Sequence, residues 1–319
     1  MRGVKRKLRK QCAFGPAHEA PMKEKITALC LLGTIPFLAP AGTALAQTAP
    51  AVSGLNGKLS YAGGNMDSST GHNFDGSFTF PVTHQTGFQV DGLYSQISDL
   101  NFYGGAGHFF WRDPKIGLAG LTGGYLYRDG VYTYQAGAEG QYYLGRFTFG
   151  AFAGVGSIKY ANPAPFIDTN PTRLVGRVSA DYYPLNDLRV GASYTTAFRE
   201  NLVSGELEYQ TPIRGLALTA EVSTGDYGYH DCLFGIRYYF GGNKTLRDRH
   251  RQDDPPGLMP HILQGLGVYG AEFNHKGNEY IANNPGSGSL GGSGGDYGVV
   301  ITGGGLTILP PDGLIISPP

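Results

Sequence analysis

The run CLFGIRYYFGG, residues 232–242, carries the decision about the fold. Phe234, Ile236, Tyr238 and Phe240 share one parity, and Gly235, Arg237 and Tyr239 share the other. Successive side chains of a strand point to opposite faces, so the run is one β-strand with an apolar row and a row holding Arg237. Either the apolar row covers a protein core and the Arg row meets water, or the apolar row meets lipid and Arg237 faces a polar interior. The polar run GGNKTLRDRHRQDDPP, 241–256, follows at once.

Upstream, residues 54–240 repeat this alternation about twelve times, between turn signals. Strands are expected near 55–63, 73–81, 86–96, 100–111, 115–127, 131–143, 146–159, 173–183, 187–197, 202–210, 215–224 and 231–240. Composition agrees: 51 Gly, 21 Tyr and 17 Phe favour strands and tight turns over helices. Balanced charge gives no electrostatic reason to expect nucleic acid as a partner.

The N-terminal region reads as an address. From Met22, two lysines precede an apolar stretch that ends in Ala44-Leu45-Ala46, the pattern of a secretory signal peptide over 22–46. Residues 1–21 read either as an over-extended gene start or as a long n-region, and 47–53 as a short linker. Cys12 and Cys30 leave with the leader, so Cys232 is alone in the mature chain and no internal disulfide forms.

Parity alone does not separate a soluble sandwich from a membrane barrel. Strand plus turn recurs about every 15–16 residues, longer than the 8–12 of a sandwich and suited to membrane strands. Aromatics gather at strand ends: Phe109 and Trp111, Tyr142 and Tyr143, Tyr182 and Tyr183, Tyr238 to Phe240. Such rings suit bilayer interfaces. Connections alternate between compact (RDPK, LG, PLND) and longer polar ones (GNMDSST, 64–70; ANPAPFIDTNPT, 161–172), as on the two rims of an outer-membrane barrel. In lipid every backbone polar group needs a partner, so the strands must close on themselves. The expected fold is therefore all-β: an antiparallel transmembrane β-barrel of about twelve strands over 54–240, with ten or fourteen also compatible.

The opening run then gains a second meaning. Gly235-x-x-Tyr238-x-Phe240 resembles the terminal signature of bacterial outer-membrane β-barrel proteins. Leu233 departs from it, since a polar residue is wanted there. The resemblance spans roughly 22–240, and the polar run after it is similar to the end of some uncharacterised porin-like proteins. It implies the outer membrane of a Gram-negative bacterium, lipid as surroundings, and reading of Gly235, Tyr238 and Phe240 by the barrel-assembly machinery. Residues 241–319, rich in Gly and Pro, are expected to be a flexible periplasmic tail.

Charge on the inward parity is the main functional signal. Asp75, Asp91, Glu139, Asp181, Glu206, Glu208 and Glu221 face inward, with Lys58, Arg177, Arg189 and Arg237. A cation at the lipid-facing midplane would cost roughly 2–4 kcal/mol, which favours the lumen. These groups read as the lining of a narrow channel for small hydrophilic solutes, with a weak cation preference, or as a salt-bridge network that fills the barrel. A non-conducting structural or adhesion barrel acting through its loops is the alternative. A lipid-modifying enzyme would need His108 beside a serine, and no local motif joins them. Gly265-Leu266-Gly267-Val268-Tyr269-Gly270 matches GxGxxG but lacks the strand and helix context of a dinucleotide site. No cofactor or metal is expected, and the oligomeric state is open.

Overall fold

The computed structural model describes residues 49–161 and 164–283. Twelve strands form one closed antiparallel barrel, each paired with its sequence neighbours and the last with the first. They are β1 (Asn56–Met66), β2 (Ser69–Pro81), β3 (Thr86–Ile97), β4 (Leu100–Asp113), β5 (Gly117–Arg128) and β6 (Val131–Leu144). The second half is β7 (Phe147–Tyr160), β8 (Thr172–Leu185), β9 (Leu188–Ala197), β10 (Glu200–Gln210), β11 (Leu216–Gly225) and β12 (His230–Tyr239). The opening run is β12, and it closes the barrel with Arg237 opposite Ser60 and Phe234 opposite Gly63. One circuit of the pairing register advances the sheet by about 14 residues, so the strands tilt steeply and every backbone ladder is closed.

The outer surface is apolar. Leu121, Val155, Leu174, Val178, Val222 and Phe234 stand exposed there, as a lipid-facing belt requires. Two aromatic rows flank it. One joins Tyr61, Phe74, Tyr94 and Tyr103 with ring centroids 4.8, 6.2 and 5.3 Å apart. The other holds Phe147, Tyr182, Tyr238 and Phe240. Not every terminal aromatic joins them: Tyr143, Tyr183 and Tyr239 have inward parity and are buried in the lumen.

We call the rim holding Asn56 and Tyr239 the near rim. Its connections are 82–85, 114–116, 145–146, 186–187 and 211–215. At the far rim four connections have only two residues, at 67–68, 98–99, 129–130 and 198–199. The expected contrast in loop length is thus confined to 161–171. GNMDSST is mostly strand, because β1 and β2 run on to a tight turn in which Asp67 and Ser68 take φ of 45° and 70°. That left-handed pair matches the twist of an antiparallel hairpin, and a loop signal of polar residues does not distinguish it from a longer connection. His72 and His230, each one residue before an expected strand start, lie in β2 and β12.

The largest departure from expectation is in the C-terminal region. A flexible periplasmic tail was expected from 241, yet this stretch folds back into the barrel as α1 (Leu246–Gln252) and α2 (Met259–Asn283). Residues 284–319 lie outside the described residues. Thr245 caps α1 by accepting from the Asp248 amide at 3.3 Å. Leu246 packs on Ala217 and Tyr239 at the near rim. Residues 49–55 also pack there, with Ala51 and Val52 against Phe110 and Leu118. α2 runs up the far half of the lumen, where Leu258, Met259, Ile262, Leu263, Leu266, Tyr269 and Phe273 meet an apolar wall. Each fully buried aliphatic side chain contributes roughly 1.5–3 kcal/mol relative to exposure, enough to hold a helix of modest intrinsic propensity.

Glycines make that contact close. The GxGxxG stretch lies inside α2, where Gly267 faces Tyr229: a Cβ there would stand 2.8 Å from the ring. On the wall, a Cβ at Gly124 would stand 2.9 Å from the Ile262 Cδ1. Gly267→Leu should therefore loosen α2 despite its better helix propensity, because overpacking costs about 1–3 kcal/mol and the propensity gain is under about 1 kcal/mol. Hydrogen exchange of the 259–273 amides reads this directly; unchanged protection would count against the close packing described.

Candidate functional site in the lumen

The lumen has two storeys. The far storey is the apolar socket of α2. The middle and near storey is polar, and it surrounds a cavity of about 220 Å³ bounded on one side by the wall and on the other by Asp254, Pro256, Leu258 and His261 of the C-terminal segment.

The charged residues read from parity point into this storey. Asp75, Glu139, Arg177, Asp181, Arg189, Glu206, Glu208, Glu221 and Arg237 line the cavity, as does Lys58. Asp91 is buried beside it. Most are tied to one another. On the β8–β12 wall, Arg189 donates to Asp181 at 2.9 Å and to Glu206 at 2.6 Å, and Arg177 donates to Glu206 at 3.0 Å. Arg237 donates to Glu208 at 2.9 Å and, through Nε, to Ser60 at 2.9 Å. Glu206 and Glu221 stand directly opposite across the β10–β11 ladder. Such a like-charge pair is tolerable only with nearby donors; Glu206 has its two arginines, and Glu221 accepts from Gln264 of α2.

Around His108 the wall makes a second cluster. Its Nε2 lies 2.9 Å from Asp91 Oδ2 and its Nδ1 2.9 Å from Glu139 Oε1. A ring that donates at both nitrogens to carboxylates is imidazolium. The ring is fully buried, and both its hydrogen bonds go to acids. This is the hydrogen-bonded lumen histidine, with no serine among its bonded partners in the described residues. Asp91 also accepts from Gln89 at 2.7 Å and from the backbone amide of Leu258 at 2.9 Å, which pins the start of α2. Among the described residues no cluster of His, Cys, Asp or Glu is arranged to hold a metal ion.

The C-terminal segment adds partners that parity on the strands could not supply. Lys58 meets Asp254 at 2.9 Å, both nearly excluded from solvent. Arg177 donates to His261. His250 of α1 sits between two inward tyrosines. The Tyr239 hydroxyl donates to Glu208 at 2.6 Å, so it accepts from His250 Nε2 at 2.9 Å, and the Tyr183 hydroxyl donates to Nδ1 at 3.0 Å. This assigns the neutral ring protonated on Nε2. Electrostatics agrees: burial drives its pKa down to about 3, although Glu208 pulls the other way. A free histidine titrates near about 6.5, so undocked α1 takes up a proton that the docked form refuses. Docking should weaken as pH falls from about 6.5 toward 3. Exchange protection of α1 amides, corrected for the intrinsic rate, should drop over that window, and His250→Gln should flatten the drop.

Gly235 lies at mid-strand in β12, where a Cβ would be 2.4 Å from the Tyr61 carbonyl oxygen. Tyr238 and Phe240 are exposed on the outer face with ring centroids 5.1 Å apart.

No family model and no curated protein matches the chain. Among solved structures, the KdgM porin in complex with disordered oligogalacturonate is similar at 12% identity and TM-score 0.45, covering 58% of this chain and 99% of that one. The outer membrane protein Omp33 of Acinetobacter baumannii is similar at 16% identity and TM-score 0.41, covering 58% and 98%. The NanC porin is similar at 10% identity and TM-score 0.43, covering 58% and 100%.

Proposed function

We propose that this barrel sits in a Gram-negative outer membrane as a narrow porin-like channel for small hydrophilic solutes, and that its own C-terminal helices hold it shut at rest. The observation that carries the reading is the polar storey: a ring of acidic and basic side chains around a cavity of about 220 Å³, inside a wall whose outer face is apolar. Charged groups in that position set selectivity through their field, and the acidic excess favours cations weakly. The start of β1 and the end of β12, both at the near rim, fit the periplasmic side, and β12, with Gly235, Tyr238 and Phe240, fits the strand that the assembly machinery reads. Conductance in planar bilayers tests the reading. Brief, discrete steps from the intact chain, lengthened when the helices are removed, support it. Silence of both forms across a range of salts sinks it.

A second reading has one observation in its favour. The far storey is packed with apolar contacts between α2 and the wall, which is how a non-conducting barrel would be filled. Such a protein would act through its outer surface and would stay silent until α2 is removed.

A further inference from the structure

We infer that the chain threads its own lumen and carries the end of α2 to the outside of the cell. The inference rests on the orientation proposed above and goes beyond channel activity.

The path of the backbone carries it. The segment enters at the near rim, beside the strand ends. There the Leu246 amide donates to the Asp187 side chain and the Arg247 amide to the Asn186 carbonyl, while Arg251 donates to the Gly145 and Phe147 carbonyls. Those partners lie in two near-rim connections and at the first residue of β7. The Leu258 amide then meets Asp91 in mid-lumen. At the other end the contacts are with far-rim connections and the strand ends beside them, such as Tyr160 of β7, which stacks on Phe273 at 5.8 Å. The Tyr269 hydroxyl donates to the Asp168 carbonyl. Phe273 and Tyr280 stack around Phe166 at 5.0 and 5.7 Å, and His275 lies 5.1 Å from Tyr227. The segment therefore makes one pass, from near rim to far rim.

Length and polarity agree. A helix of 25 residues that starts in mid-lumen spans roughly 37 Å, more than the half of a hydrocarbon core of about 30 Å that remains beyond it. The helix is apolar and buried through Phe273, and then His275, Asn278 and Glu279 emerge exposed. That change marks where it leaves the barrel. Phe198, in the far-rim turn 198–199, stacks edge-on against Tyr269 at 5.7 Å.

The last turns of α2 are thus displayed on the face opposite the strand ends. The barrel serves as the anchor and conduit of its own C-terminal helix.

Cysteine labelling in living cells tests this. In a Cys232→Ser full-length background, single cysteines replace Asn283 at the end of α2, Asn170 in the far-rim loop, and Thr83 in a near-rim turn. A membrane-impermeant maleimide is applied to intact and to lysed cells. We expect Asn283→Cys and Asn170→Cys to label equally in both, and Thr83→Cys to lose its labelling in intact cells. Protection of Asn283→Cys in intact cells, while Asn170→Cys still labels, overturns the threading. Protection of both, with Thr83→Cys labelled in intact cells, overturns the outward display through the orientation on which it rests.

Discussion

Ending the chain at Gly242 should turn a barrel that conducts briefly into one that conducts continuously. The wall does not need the helices to close: β12 pairs with β1 through nine residue pairs, and every ladder is complete without α1 or α2. Deleting 243–319 removes the cap at the near rim and the filling of the far storey, and joins the cavity to both faces. A twelve-strand barrel lies between small ones filled by side chains and large ones with an open channel, so an unfilled lumen of this size should pass small ions, with mean conductance up roughly tenfold or more. The exposed acids Asp75, Asp91, Glu139, Asp181, Glu206 and Glu221 should then give a modest preference for cations over anions. Assembly should survive, at some loss of heat stability, because Lys58 loses Asp254 and the socket of α2 becomes wet. A shortened chain that fails to insert would show instead that α2 helps to form the wall.

Glu208→Ala should cause the largest loss of stability from a single substitution. Its side chain is fully buried and accepts from Arg237 at 2.9 Å and from the Tyr239 hydroxyl at 2.6 Å, with Arg189 and His250 each 3.6 Å away. Removing one partner of a buried charge cluster typically costs about 3–5 kcal/mol, because the remaining charge keeps its desolvation penalty. Here the figure should fall toward the lower end. Arg189 retains Asp181 and Glu206, and Arg237 retains Ser60. Loss of the acceptor also frees the Tyr239 hydroxyl that orients His250, so α1 should undock along with the wall network. Heat-modified mobility of the folded barrel in detergent would show the drop. Glu208→Gln, which keeps an acceptor and loses the charge, should fall between. Arg173→Ala offers the contrast: its pair with Asp168 is exposed, and such pairs are worth about 0–1 kcal/mol. Equal effects at the two positions would contradict the burial argument.

Parts of the C-terminal helix were legible and were outweighed. Leu258, Ile262, Leu266, Tyr269 and Phe273 recur at spacings of three and four, the period of a helix face. Gly265, Gly267, Gly270 and Gly277 speak against a helix by propensity, and Pro255-Pro256 by composition. The conflict resolves only when the wall is present, since Gly267 and Gly265 let the helix approach Tyr229 and Ala197. The inward Met66, Ile97, Phe102, Leu126 and Ile158 were a second signal: a water-filled pore has no use for an apolar ring at one end.

From residues alone came the twelve strands, the closing role of β12, and the sense of each strand's two faces. These follow from a period of two along the chain, a local property that every strand states for itself. Parity also placed the acids and bases inward. It could not say whether water or protein meets them there, because a lumen wall looks the same in sequence whether its polar groups are hydrated or paired. That was decided by contacts across wide separations in the chain, such as Lys58 with Asp254 and Asp91 with Leu258. Those contacts exist only once the barrel has closed around α1 and α2, and they make a filled and threaded lumen out of what the alternation pattern describes as an empty one.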